Sequence, residues 1–189
     1  GNAITRLSVS ANRKLTCLYC GDNQLSTLSV KKNTALKYLN CNNNHITELD
    51  VRANTALILL SCDNNSVTKL DVSANRKLKY LYCNNADLRE LDVKNNTALL
   101  QLGCAYNRLT ALDVTKNKKL TMLGCYHNNL SALNVSKNTA LEYLYCSFND
   151  LRKLDVSGNT KLQFLDCSYN GMNLSSVKGH EKVKKVQNN

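Results

Sequence analysis

The sequence contains no proline, so no residue breaks a backbone hydrogen-bond ladder for want of an N–H. No stretch approaches the ~18 to 20 consecutive apolar residues that a membrane-spanning helix needs. None shows the sustained apolar period of an amphipathic helix either. Phosphate-cradling glycine loops, nucleophile elbows and paired-carboxylate signatures are all missing. The three histidines, His45, His127 and His180, recur in phase neither with one another nor with a cysteine or serine. These absences argue against an enzyme and against a resident cofactor. No signal-peptide pattern is present. The chain starts Gly1-Asn2-Ala3 without a methionine, as a trimmed or mature form does, so the missing leader says little about the compartment.

What remains is a chain of 189 residues, 43% hydrophobic and 21% charged, a size at which one domain buries most of its apolar surface. Basic residues outnumber acidic ones 25 to 14, for a net charge of +11. That excess favours an anionic partner, provided the charges share a surface with the groups that would read it.

The sequence repeats itself. Cys20, Cys41, Cys62, Cys83, Cys104, Cys125, Cys146 and Cys167 stand 21 residues apart without an insertion. Valines from Val9 to Val177 and asparagines from Asn12 to Asn159 keep the same beat. A period of this length marks a solenoid, in which one coil cannot bury its own apolar side and stacked coils bury a continuous core. Residues 141 to 161 give the unit: Leu141, Leu144, Cys146 and Asn149, then Leu151, Leu154, Asp155, Val156 and Asn159. Apolar-x-apolar alternation predicts a short strand in the first half. It predicts a second strand or a tight extended turn in the other half. The asparagines suit the corners.

The segment LxxLxCxxNxL resembles the conserved part of leucine-rich repeats. With LxxLDV as its second half, the 21-residue unit resembles the bacterial IRREKO type, over roughly residues 4 to 174. Ala86 departs from the pattern in place of a turn asparagine, and Ser175 in place of a core leucine. The resemblance implies a β-rich leucine-rich-repeat solenoid: a right-handed coil of about eight to nine repeats, with short parallel strands, turns and little or no helix. It implies one domain over residues 1–189. Residues 1–14 are then a partial first coil, 15–170 the regular repeats and 171–189 a degenerate last coil or cap, with a final strand expected near Val183–Val186. It also implies ligand binding on the strand face, in a bacterial protein that is secreted or displayed on the cell surface.

Three ladders look chemical and read more simply as structure. Zinc prefers paired CxxC motifs, and Cys17 and Cys20 form only one, with side chains expected on opposite faces. Buried cysteine behaves as a small hydrophobe, so the ladder is expected to be reduced and packed. The aspartates Asp50, Asp71, Asp92, Asp113 and Asp155 alternate with serine or asparagine at equivalent places. That pattern fits a side-chain-to-backbone turn bond better than calcium, which wants several oxygens on one ion. No metal is expected.

Positions that vary between coils carry the functional signal. Counting from the leading leucine of each coil, the third, fifth, seventh and eighth positions should face outward. All nine tyrosines and both phenylalanines fall in these four columns, and in the regular coils no lysine or arginine does. Aromatics spent on a solvent face point to recognition, although they also suit strands for packing alone. The expected ligand-binding residues are Tyr38, Tyr80, Tyr82, Gly103, Tyr106, Met122, Gly124, Tyr126, His127, Tyr143, Tyr145, Phe148, Phe164 and Tyr169. Gly103 and Gly124, between Tyr82 and Tyr145, should leave a notch two strands wide, rimmed by Met122, Tyr106, Tyr126, His127 and Phe148. The alternative is that the glycines merely relieve crowding.

The basic residues, such as Lys31, Lys32, Arg76, Lys77, Lys118 and Lys119, sit in the second half of the coil, away from the aromatics. Single-stranded nucleic acid needs the two interleaved, so the sequence disfavours that partner. A protein or peptide ligand is the first expectation, a glycan on the same face the second, and a spacer or adhesin stalk the third. The first half-coil has no evident cap, which suggests release from a longer protein or self-association.

Overall fold

The computed structural model describes residues 2–188; the expected outer limits of the domain, residues 1 and 189, lie outside them. Each LxxLxC segment yields a three-residue strand: β1 (Cys17–Tyr19), β2 (Tyr38–Asn40), β3 (Leu59–Ser61), β4 (Tyr80–Tyr82), β5 (Gln101–Gly103), β6 (Met122–Gly124) and β7 (Tyr143–Tyr145). Then follow β8 (Leu154–Asp155), β9 (Phe164–Asp166), β10 (Val177–Lys178) and β11 (Lys185–Gln187). Nine of these form one parallel sheet in the order β1-β2-β3-β4-β5-β6-β7-β9-β11. The chain is thus a parallel β-solenoid of about eight turns, and among the described residues the only helical elements are two 3-10 turns, Leu174–Ser176 and His180–Lys182. No helix among them is long and apolar enough to cross a membrane.

The strand pairing follows the 21-residue beat, with Leu18 opposite Leu39 and Leu102 opposite Leu123. The fourth-position leucines point inward with the cysteines and valines, and from Leu39 to Leu165 they are sealed from solvent. Among the described residues the second halves form regular strand only once, where β8 pairs with β10. In the other coils the LxxLDV segment closes as an extended turn, held by a bond from the ladder asparagine's N–H to the valine carbonyl three residues back, as Asn96 to Val93.

Two asparagine ladders stitch the coils. Asn107 Nδ2 donates to the carbonyls of Cys83 and Cys104, and its Oδ1 accepts from Leu88 N–H at 2.9 Å. Asn96 Nδ2, in the other ladder, donates to the carbonyls of Val72 and Asn75. Buried backbone groups left over by the turns are thereby paired.

The last coil departs from the expected register. Val177 pairs with Leu154 rather than with Val156. It is not the ninth valine of the ladder. It takes the place vacated by Ser175, which is exposed and bonded to Asn173. A slip of two residues keeps a side chain on the same face, so an apolar group still fills the core. The slip is recovered through Gly179, whose φ of 85° suits glycine and whose missing Cβ would lie 2.5 Å from Ser157 Cα. β11 then resumes the sheet with Val186 opposite Leu165, and Val183 packs ahead of that strand rather than within it.

Candidate functional site

The four outward columns do not behave alike. The eighth position is mostly open to solvent and the third mostly half-buried, whereas the seventh is turned along the sheet: Ala105, Ser147 and Ser168 are buried. The chain has begun its turn there, so these side chains lie beneath their neighbours and form a polar seam. Asp63 Oδ1 accepts from the N–H and Nδ2 of Asn84, and Asn84 Oδ1 accepts from Ala105 N–H. Burial pushes the Asp63 carboxyl above its ordinary range.

The expected notch is present. Tyr82, Gly103, Gly124 and Tyr145 stand side by side across β4 to β7, and a cleft of about 360 Å³ opens over them. Met122 and Tyr126 line it as expected. Asn84, Ser147 and Asp166 line it too; they were not among the expected site residues, although they stand in the same outward columns. Asp166 holds the cleft's carboxylate, accepting from Ser147 Oγ at 2.8 Å and from Ser168 Oγ at 2.6 Å. Burial raises the phenols of Tyr82 and Tyr126 above the usual tyrosine range, so both are neutral donors at neutral pH.

The two glycines differ. A Cβ on Gly103 would come within 3.0 Å of Asn84 Nδ2 and 3.1 Å of Tyr82 Cδ1, so this glycine does relieve crowding. A Cβ on Gly124 would meet nothing nearer than Tyr126 Cε1 at 3.8 Å. Its missing side chain leaves free space.

Tyr106, His127 and Phe148 do not rim the notch. With Tyr169 they form a continuous stack, at centroid spacings of 4.3, 4.0 and 4.1 Å and interplanar angles no greater than 13°. All four have φ between 51° and 53°, the left-handed region that disfavours bulky side chains. The same column in earlier coils is Asp22, Asn43, Asn64 and Asn85, also left-handed but of the types that tolerate it, and joined by side-chain hydrogen bonds. Tyr126 connects stack and notch, since its ring meets Tyr106 edge-on at 5.3 Å. Of the remaining expected residues, Tyr38, Tyr80, Tyr143 and Phe164 lie in the third column, with Phe164 against Tyr145 at 5.1 Å. Lys185 in the last coil brings a cation to this face, 5.5 Å above the Phe164 ring.

The other ladders have structural partners. The thiols of Cys41, Cys62 and Cys83 donate to the carbonyls of Ser61, Tyr82 and Gly103 in the next coil. All nine cysteines are free, and Cys17 alone is not buried. Asp71, Asp92, Asp113 and Asp155 each accept a backbone N–H two residues ahead. Broad valleys of about 600 and 680 Å³ run between the LxxLDV segments. Each holds one ion pair, Lys94–Asp92 and Lys178–Asp155, and no aromatic side chain lines either valley, so the strand face is the better candidate site.

Leucine-rich repeats, in two copies, are matched by a family model over residues 13–54. No curated protein sequence matches the chain. Among solved structures, the functional domain of InlJ from Listeria monocytogenes, described as including a cysteine ladder, is 35% identical over 99% of this chain, with a TM-score of 0.79. This chain spans only 46% of that one. A leucine-rich-repeat protein of Leptospira interrogans is 23% identical, with TM-score 0.87 and coverage of 93% and 49% of the two chains. The internalin InlF of Listeria monocytogenes is 24% identical, with TM-score 0.91 and coverage of 97% and 58%. At such identity the last two speak to the fold alone. With the family match, the 21-residue register and the cysteine ladder in place, the chain is a leucine-rich-repeat protein folded as the solenoid these bacterial proteins share.

Proposed function

We propose that this chain is a protein- or peptide-binding module that works through its strand face, on the coils that carry β4 to β9. The observation that carries the reading is the meeting of notch and aromatic stack in those coils, joined at Tyr126. The stack places bulky residues where the backbone disfavours them, and strain of this kind concentrates at functional sites. Three of its four rings are exposed, Tyr106 by 51%, Phe148 by 40% and Tyr169 by 57%, and large exposed aromatics are favoured at protein interfaces. The basic residues of the regular coils lie elsewhere and keep the module soluble. The likeness to InlJ supports a role on or outside a bacterial surface.

Carbohydrate binding by the same face is the second reading. It is weaker at the stack, because the ring faces a sugar would use already lie against each other. Arrays of extracellular proteins and of glycans separate the two when probed with the parent and with Tyr82→Ala/Tyr143→Ala/Tyr145→Ala. A protein hit lost in the triple variant, with unchanged thermal midpoint, supports the proposal. A glycan hit lost in the same way moves the function to the second reading, binding indifferent to the three changes overturns the assignment to this face, and no hit on either array leaves a spacer.

A further inference from the structure

We infer that the notch receives one cationic side chain, a lysine or arginine, from the protein partner. This rests on the binding-face reading above and adds the chemistry of its central contact. Three tyrosines, Tyr82, Tyr126 and Tyr145, surround the cleft, with Met122 beside them. Tyrosine faces attract a cation through their negative quadrupole within about 6 Å of the ring centroid. Asp166 stands at one end of the cleft, its carboxylate held by Ser147 and Ser168.

That carboxylate decides among occupants. A neutral aliphatic group would strip water from Asp166 and return nothing, an expensive exchange. An anion would be repelled by the carboxylate, whereas a cation is attracted both by it and by the tyrosine π-systems around it. The regular coils place no lysine or arginine in the four outward columns, which carry Asp22, Asp63 and Asp166 instead. Apart from Lys185, the basic residues behind the net charge of +11 lie outside these columns, and ions screen charges more than about 10 Å away. One coil further on the protein shows the same chemistry in itself, with the Lys185 ammonium 5.5 Å above Phe164, whose ring contacts Tyr145. Gly124 supplies the vacancy, since nothing occupies the space its Cβ would enter.

The test uses the whole chain and four small probes: N-acetyl-lysine methylamide, N-acetyl-arginine methylamide, N-acetyl-norleucine methylamide and methyl glucoside. Binding is followed by amide proton–nitrogen correlation spectra at Gly103 and Gly124. The lysine and arginine probes are expected to shift both glycines, and the norleucine probe to bind about ten-fold more weakly or not at all. Asp166→Asn, which keeps the side-chain shape, should weaken the cationic probes about ten-fold. Lys185→Ala should leave them as tight or tighter. The inference is overturned if norleucine or the glucoside binds as well as lysine, or if Asp166→Asn changes nothing. Gly124→Trp distinguishes this failure from failure of the binding-face reading. If the array partner is lost with Gly124→Trp while lysine never binds, the face stands and the cation falls; a partner indifferent to Gly124→Trp overturns both.

Discussion

The imidazole of His127 lies 4.0 Å from the ring of Phe148, centroid to centroid, with the planes 9° apart. Phe148 is strained in a left-handed turn and His127, though better tolerated there, is bulky, yet each holds a φ of 52°. Two effects oppose each other here. A bulky residue in that region costs roughly 1 kcal/mol or more, and each stacked pair returns about 0.5–1.5 kcal/mol. Replacing Tyr106, His127, Phe148 and Tyr169 together by asparagine would extend the ladder that ends at Asn85. Stability should then stay within about 2 kcal/mol of the parent in urea unfolding, while partner binding is lost. A much larger loss of stability would assign the stack to folding rather than to recognition.

Gly103 and Gly124 occupy the same column on adjacent strands, and the surroundings of each predict different answers to one methyl group. Gly103→Ala pushes against Asn84 and Tyr82 at 3.0 and 3.1 Å and loosens the bonds that Asn84 donates to Asp63 and accepts from Ala105. It should cost about 1–3 kcal/mol. Gly124→Ala enters free space and should lie within about 0.5 kcal/mol of the parent. Chemical denaturation of the two variants side by side checks this, and equal costs would mean the crowding at Gly103 is not real.

The sequence was legible where one residue type answers one demand in every coil. Leu102, Cys104 and Val114 recur because a stacked core needs the same shape each time, and the notch followed from two missing side chains in one column. The left-handed eighth position was harder to see. Asp22, Asn43, Asn64 and Asn85 hint at it, but the aromatics that succeed them break the local preference, and their mutual stacking depends on an alignment across coils that no single repeat displays. The slip at Val177 was hidden for a related reason. A valine in phase with the ladder looks correct, and only the loss of the leucine at Ser175 makes a two-residue shift the better way to fill the core.

Stability should fall at both ends of the pH scale. Side-chain and backbone hydrogen bonds from the residues two positions ahead lower the carboxyls of Asp71, Asp92, Asp113 and Asp155. Groups depressed in the folded state contribute above the ordinary carboxylate range near 4 and lose that contribution as pH drops below it. Asp63, raised by burial, acts in the opposite sense but alone. Burial also lifts Cys62 and Cys104 to about 12 and Cys20 and Cys167 to about 11. Unfolded thiols ionise near 8.5, so the folded state loses ground from there upward. Urea midpoints between pH 2 and 10 should form a plateau at roughly 5 to 8. In native protein a thiol reagent should modify Cys17 alone, with the other eight reacting only on unfolding.

Ala86 is the gap in the first asparagine ladder. In the neighbouring coils the side chain at this place accepts from the N–H nineteen residues earlier, as Asn65 does from Ile46 and Asn107 from Leu88. The position matching residue 86 is Val67, which therefore faces no asparagine oxygen. The carbonyls of Cys62 and Cys83 each lack the donor that residue 86 would bring, although Asn65 and Asn107 still serve them. The backbone adjusts next door, where Asp87 adopts a φ of 58° and pairs with Arg108 at 2.8 Å. Ala86→Asn should restore three bonds in a buried setting and add about 1 kcal/mol, a rise of roughly 2–4 °C in thermal midpoint for a chain of this size. If the midpoint falls, the turn at Asp87 has relaxed around alanine so completely that an asparagine no longer fits. Combining it with Asp87→Asn, which gives up the Arg108 ion pair while keeping a side chain that tolerates the left-handed turn, separates the two contributions.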